Sequence, residues 1–166
     1  MQRLSVKLII VVIAMVGSLA ISQTHWSAAT VIALPFYQAT SLSSSELINP
    51  EDLVKLLQTP KGEKPLVIQV GSHVLYQQAH IPGSEYIGPA SSETGLQQLR
   101  TRVQPLPRKT FIIIYCGCCP WSHCPNVKPA DDALHAMGFT NVKVPYIAEN
   151  FGPDWVSKGY PVAKGE

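Results

Sequence analysis

Outside nine consecutive positions, 116 to 124, the 166-residue chain has no cysteine, and within those nine it has no arginine. Excess charge of either sign is missing as well. Lysine and arginine number 13 against 11 acidic residues, and two of the basic ones, Arg3 and Lys7, fall in the first 22 positions, which leaves 11 against 11 in the rest. So balanced a surface gives no electrostatic case for nucleic acid or for an anionic membrane. The apolar run from Leu8 to Ile21 is shorter than the roughly 20 residues that span a bilayer. No cysteine follows it to take a lipid. There is no internal repeat and no long low-complexity tract. Paired C-x-x-C zinc knuckles are absent, and so is the C-x-x-C-H spacing of haem attachment.

What is present begins with MQRLSVKLIIVVIAMVGSLAIS, in which two cations precede the apolar run and small residues, Ala20 and Ser22, stand at cleavage-like spacing. Residues 1–22 read as a secretory signal, or as an anchor if left uncut. The expected location is exported, periplasmic or extracellular, with membrane contact through that segment alone. Residues 23–45 show neither helical nor strand period and end in serines, as a linker does. One domain, 46–166, remains, long enough to bury a proper core.

Within it, Asn49-Pro50-Glu51-Asp52 supplies a cap, a proline and first-turn acids ahead of Leu53, Val54, Leu56 and Leu57, so a helix starts there. Leu66 to Val70 is an apolar run without alternation, expected for a strand buried on both faces. A short helix over Val74 to Ala79 ends at His80-Ile81-Pro82-Gly83-Ser84, where His80 has a structural role in the turn. Gly95 to Val103 reads as helix and Phe111 to Tyr115 as the strongest strand. Ala130, Ala133, Leu134 and Met137 share one helical face, and Gly138 stops that helix before a strand over Asn141 to Val144. Alternating strands and helices imply an α/β domain with a mostly parallel sheet.

That topology puts the cysteine loop at the carboxyl end of a strand, where sites in such sheets gather. Loop amides and the N-terminus of the next helix would stabilise a thiolate, a persulfide or a bound oxyanion. In an oxidising compartment, clustered thiols are redox or sulfur-handling candidates before they are zinc ligands.

The stretches Ile68-Gln69-Val70-Gly71, Ala79-His80-Ile81-Pro82-Gly83-Ser84, Ile114-Tyr115-Cys116, Met137-Gly138-Phe139-Thr140-Asn141-Val142 and Trp155 with Gly159-Tyr160-Pro161-Val162 follow one another in order. Over 46–166 the sequence resembles the rhodanese-like family of sulfurtransferases. The resemblance implies a three-layer α/β fold, a central mostly parallel sheet flanked by helices. It also implies that Cys116 accepts sulfane sulfur as a persulfide and passes it to a thiophilic acceptor, a small molecule or a protein thiol. Thiosulfate is the default donor by resemblance, while polysulfide or a protein persulfide suits an apolar, arginine-free loop at least as well. No organic cofactor and no resident metal are expected.

Departures from the family pattern are equally visible. Gln69 stands where the strand aspartate falls, Gly71 where the neighbouring arginine falls, and Trp121 where the loop arginine falls, and the loop is longer than its common form. Phosphatase chemistry, which needs that arginine, is therefore not expected. Gly117, Trp121, Ser122, His123 and Lys128 are candidate substrate-loop residues, with His123 a possible cationic partner and Lys128 a stand-in for the arginine, although both also read as solvated side chains. Cys118, Cys119 and Cys124 read either as resolving thiols or as a staple, Cys119 or Cys118 with Cys124. Trp155 and Tyr160 read as core, and Pro120, Pro125 and Pro129 stiffen the loop. The alternatives to sulfur transfer are a thiol–disulfide redox protein and a non-enzymatic module that holds a metal or a partner.

Overall fold

The computed structural model describes residues 42–60 and 64–165. The expected leader, 1–22, and the expected linker as far as residue 41 lie outside the described residues. Among the described residues no helix is long and apolar enough to cross a membrane. Leu42 is buried in the core and a 3-10 turn covers Ser44–Glu46, so packing begins ahead of Glu46.

Five strands, β1 (Leu47–Ile48), β2 (Leu66–Gln69), β3 (Glu85–Tyr86), β4 (Ile112–Tyr115) and β5 (Val142–Pro145), form a parallel sheet in the order β1-β5-β4-β2-β3. The helices between them are α1 (Pro50–Gln58), α2 (His73–Gln78), α3 (Glu93–Val103) and α4 (Val127–Ala136). This is the three-layer α/β arrangement expected. β4 is central, in register with β2 from Leu66 opposite Ile112 to Gln69 opposite Tyr115, and all four of its residues are buried.

The pleat of β4 divides the core. Ile112 and Ile114 face one side, with Ile68, Leu99, Val103 and Leu134, under α3 and α4. Ile113 and Tyr115 face the other, with Leu53, Ile81, Phe151 and Trp155, under α1 and the C-terminal segment. Alternation of this kind is what a strand covered on both faces requires. Each of these aliphatic side chains contributes about 1.5–3 kcal/mol by its burial. Trp155 is fully buried and donates its indole N–H to the carbonyl of Pro161 at 2.8 Å. His80 stacks on Tyr76 and exchanges backbone hydrogen bonds with Ala163, which closes the C-terminal segment onto the turn.

Several local expectations change. Asn49 occupies the cap position of α1, yet its side chain makes no capping hydrogen bond; its carbonyl accepts from Asp52 and Leu53 instead. α3 starts earlier than Gly95, because Ser92 caps it by accepting from the Gly95 amide at 3.1 Å. β1 and β3, two residues each, are too short to carry a period in the sequence; pairing with β5 and β2 creates them.

Candidate active site

β4 delivers Cys116 to the carboxyl edge of the sheet, between β2 and β5, with 3% of its surface exposed. The chain then turns sharply at Gly117, whose φ of +86° is open to glycine and rare for other residues, and whose carbonyl accepts from the Phe151 amide at 3.0 Å. That turn sends Cys118 outward and brings the loop back through a 3-10 turn over Trp121–His123 to buried Cys124 and the start of α4. The four sulfurs end up within 4.8 Å of one another. Sγ of Cys118 lies 3.1 Å from that of Cys116 and 2.9 Å from that of Cys119, and all four thiols are free. The pairs expected as staples are thus unbonded, and the shortest approaches run from buried Cys116 outward through exposed Cys118. The same set of donors has the composition of a site for a thiophilic ion.

Side chains dominate the electrostatics of Cys116. The Cys124 thiol donates to its sulfur, and the Cys118 amide, the Cys118 thiol and the Asn126 carboxamide, the last at 3.3 Å, add further hydrogen bonds. Together they outweigh burial and bring the Cys116 thiol down from an ordinary 9.0 to about 6. Cys124 moves the other way, chiefly because it gives its proton to the hydrogen bond with Cys116, so the pair holds one negative charge. Cys118 is also raised, by desolvation first and then by its thiol neighbours.

The helix N-terminus acts at one remove from where it was expected. The amides of Asn126 and Val127 point to the sulfur of Cys124, not to that of Cys116. There they favour a Cys124 thiolate, against the larger influences, its hydrogen bond to Cys116 and burial, that keep Cys124 protonated.

Of the candidate loop residues, the basic side chains do not join the thiols. His123 is exposed, its Nδ1 2.9 Å from the hydroxyl of Ser122, and Lys128 pairs with Asp132 along α4. Trp121 is half-buried against the core, near the Tyr146 ring, and its amide donates to the carbonyl of Ile147. With Cys116, Gly117, Cys119, Val144 and Ile147 it lines a cavity of about 10 Å³, room for at most one water.

Three residues with a part in the site were not candidates from the sequence. Asn126 is buried and bridges the loop, accepting from the Ser91 amide at 2.9 Å while donating to Cys116. Gln69, 2% exposed, donates to the Cys116 carbonyl at 2.9 Å and accepts from the Gly71 amide at 3.1 Å. A Cβ on Gly71 would sit 2.6 Å from the Cys116 carbonyl oxygen and 2.7 Å from its sulfur. The signal for Gln69 was an amide inside an otherwise apolar strand; Asn126 gave none beyond its place at a helix start.

The family profile of the Rhodanese-like domain matches residues 49–145. The chain belongs to the rhodanese-like domain family. Among proteins with curated descriptions, none matches it. Solved structures do. A Bacillus halodurans protein is 20% identical over 72% of this chain and 77% of its own, with a TM-score of 0.55. The rhodanese-like domain of an Anabaena protein is 17% identical over 72% and 79%, with a TM-score of 0.51. The thiosulfate sulfurtransferase of Pseudomonas aeruginosa is 20% identical over 73% of this chain, though over 20% of its own length, with a TM-score of 0.53. At such identities the likeness is one of fold.

For a rhodanese-like domain, the substitutions around Cys116 form a consistent set. A carboxylate at position 69 could only accept hydrogen bonds and would repel the Cys116 carbonyl, whereas the Gln69 amide donates to it. With glycine at 71, the segment that leaves β2 closes directly on the thiol.

Proposed function

We propose that this protein is an exported sulfurtransferase that carries sulfane sulfur as a persulfide on Cys116. The observation that carries the reading is the environment of that sulfur: at the end of the central strand, with hydrogen bonds from Cys124, Cys118 and Asn126 that favour its thiolate near neutral pH. The Cys116 thiolate attacks the outer sulfur of a donor persulfide, forming a new S–S bond and expelling the donor as a thiolate. An acceptor thiolate then attacks that outer sulfur, restoring Cys116 as a thiolate and leaving with a persulfide of its own. No electrons enter or leave the protein in either step. Export rests on residues 1–22, with their two cations, apolar run and small residues.

The donor class follows from what surrounds the thiol. The thiol is almost fully buried, and no arginine of the loop would attract an anion such as thiosulfate. Polysulfides and protein persulfides, which can present one sulfur at the loop surface, suit it better. The assay is intact-protein mass spectrometry after exposure to a persulfide donor and alkylation. The parent gains one sulfur atom's mass on Cys116 and loses it to an added thiol; a Cys116→Ser variant that turns over sulfane sulfur as fast as the parent refutes the reading.

A second reading draws on the 3.1 Å approach of Cys118 to Cys116. The Cys118 thiol attacking the inner sulfur of the Cys116 persulfide would give a Cys116–Cys118 disulfide and hydrogen sulfide, and a dithiol would have to reset the pair. Loss of two hydrogens, with sulfide released, distinguishes this outcome in the same experiment.

A further inference from the structure

A second group of potential ligands lies along the later turns of α4. Asp131 and His135, one turn apart, share a face of the helix, and Glu46 reaches the same point from the turn before β1. Nε2 of His135 is 3.3 Å from Oε1 of Glu46 and 3.3 Å from Oδ1 of Asp131, and one ligand atom from each residue lies within 4.8 Å of the others.

An ordinary ion pair explains this poorly. Asp131 belongs to the buried stripe of α4, its side chain is 5% exposed, and its Oδ1 has no hydrogen-bond partner among the described residues. A buried carboxylate oxygen left in that state is costly. Charge-assisted N–H···O bonds run at about 2.7–2.9 Å, so both contacts to His135 are long for that role. By contrast, ligands held tetrahedrally at about 2.0–2.1 Å from a central ion are separated from each other by roughly 3.3–3.4 Å. Glu46 is also held in place from behind: its Oε2 accepts from the amide and hydroxyl of Ser43 at 2.6 and 2.7 Å, which leaves Oε1 to face the cluster. Outer hydrogen bonds of this kind orient metal ligands. Two carboxylates bring the charge that a divalent ion balances, and an imidazole nitrogen is a ligand of the same class.

We propose that Glu46, Asp131 and His135 form a binding site for a divalent transition-metal ion of the zinc type, with a water molecule as the fourth ligand. The ion ties the segment ahead of β1 to α4, the helix whose start meets the thiol loop, and so stabilises the fold from a position that involves no sulfur. Its nitrogen and oxygen donors set it apart from the thiol cluster.

The test uses the full chain with its four thiols blocked by methanethiolation and its fold checked by circular dichroism. One equivalent of zinc should bind, and at a hundredfold excess over the dissociation constant the melting temperature should rise by about 5–10 °C. His135→Gln and Glu46→Gln should each weaken binding at least tenfold and cut the rise, at the same zinc concentration, to about half or less. Zinc binding that disappears on thiol blocking, or that survives in His135→Gln within twofold, overturns the proposal. Should blocking disturb the fold, cobalt replaces zinc on the unblocked protein at two equivalents. A component without sulfur-to-cobalt charge transfer that His135→Gln removes is expected, and its absence or its persistence in that variant is equally fatal.

Discussion

Replacing Cys124 by alanine removes the largest influence holding Cys116 at about 6, while burial, which pushes the thiol up, remains. The Cys118 amide, the Cys118 thiol and Asn126 still favour the thiolate, so the expected midpoint lies roughly two units higher, near 8. At pH 7 the thiolate fraction then falls from about 90% to about 10%. A more basic thiolate is also more nucleophilic, by roughly six- to tenfold over two units, so the two effects nearly cancel at neutrality. The rates of alkylation of Cys116 by iodoacetamide, followed by mass spectrometry against pH, should therefore cross near pH 7. The alanine variant should be about sixfold slower at pH 6 and about sevenfold faster at pH 9. Cys124→Ser keeps a hydrogen-bond donor in the same place and should stay within one unit of the parent. An alanine variant with its midpoint still near 6, or a serine variant displaced as far as alanine, would refute the proton-sharing pair.

Because the folded-state pKa of Cys116 is depressed, its contribution to stability is complete above 9.0 and is lost as pH falls through about 6. Denaturant melts should show stability rising by up to about 1.4 kcal/mol per pH unit across that window. The slope should vanish in Cys116→Ser; Cys124, raised by the same pairing, should reverse it in the parent above pH 9. Gly71→Ala forces a methyl group against the carbonyl and sulfur of Cys116, both buried. It should cost at least about 2 kcal/mol in denaturant titration, and a neutral result would mean that the segment after β2 is free to move away. Asn126→Asp preserves the acceptor for the Ser91 amide but replaces the donor to Cys116 with a like charge. Its alkylation midpoint should rise by at least about one unit, and more than in Asn126→Ala.

How far these features could be read in advance depended on whether side chains or neighbours decided them. The central strands were legible because Leu66 to Val70 and Ile112 to Tyr115 are apolar without alternation, and burial on both faces demands that. The edge strands were not, since two residues at Leu47–Ile48 or Glu85–Tyr86 have no pattern until β5 and β2 pair with them. For the loop, topology placed Cys116 at the strand end, but the path of an irregular segment is fixed by single dihedrals such as that of Gly117. Hence the direction of each side chain was hidden. His123 and Lys128, the basic side chains expected beside a thiolate, turn to Ser122 and Asp132, and the uncharged amides of Gln69 and Asn126 face inward.

That outcome has a physical logic. A guanidinium keeps its charge at any working pH and attracts anions, whether they are thiolates of the protein or oxyanions in solution. A neighbouring thiol stabilises Cys116 only while it retains its own proton, and it presents no positive field to an approaching donor. Gln69, Asn126 and Cys124 are consistent with that arrangement, since each supplies an uncharged hydrogen bond around Cys116. The same arrangement that favours the Cys116 thiolate places no fixed positive charge beside it, so the proposed preference for donors that carry their sulfur on a thiol over thiosulfate should weaken if an arginine is introduced at Trp121.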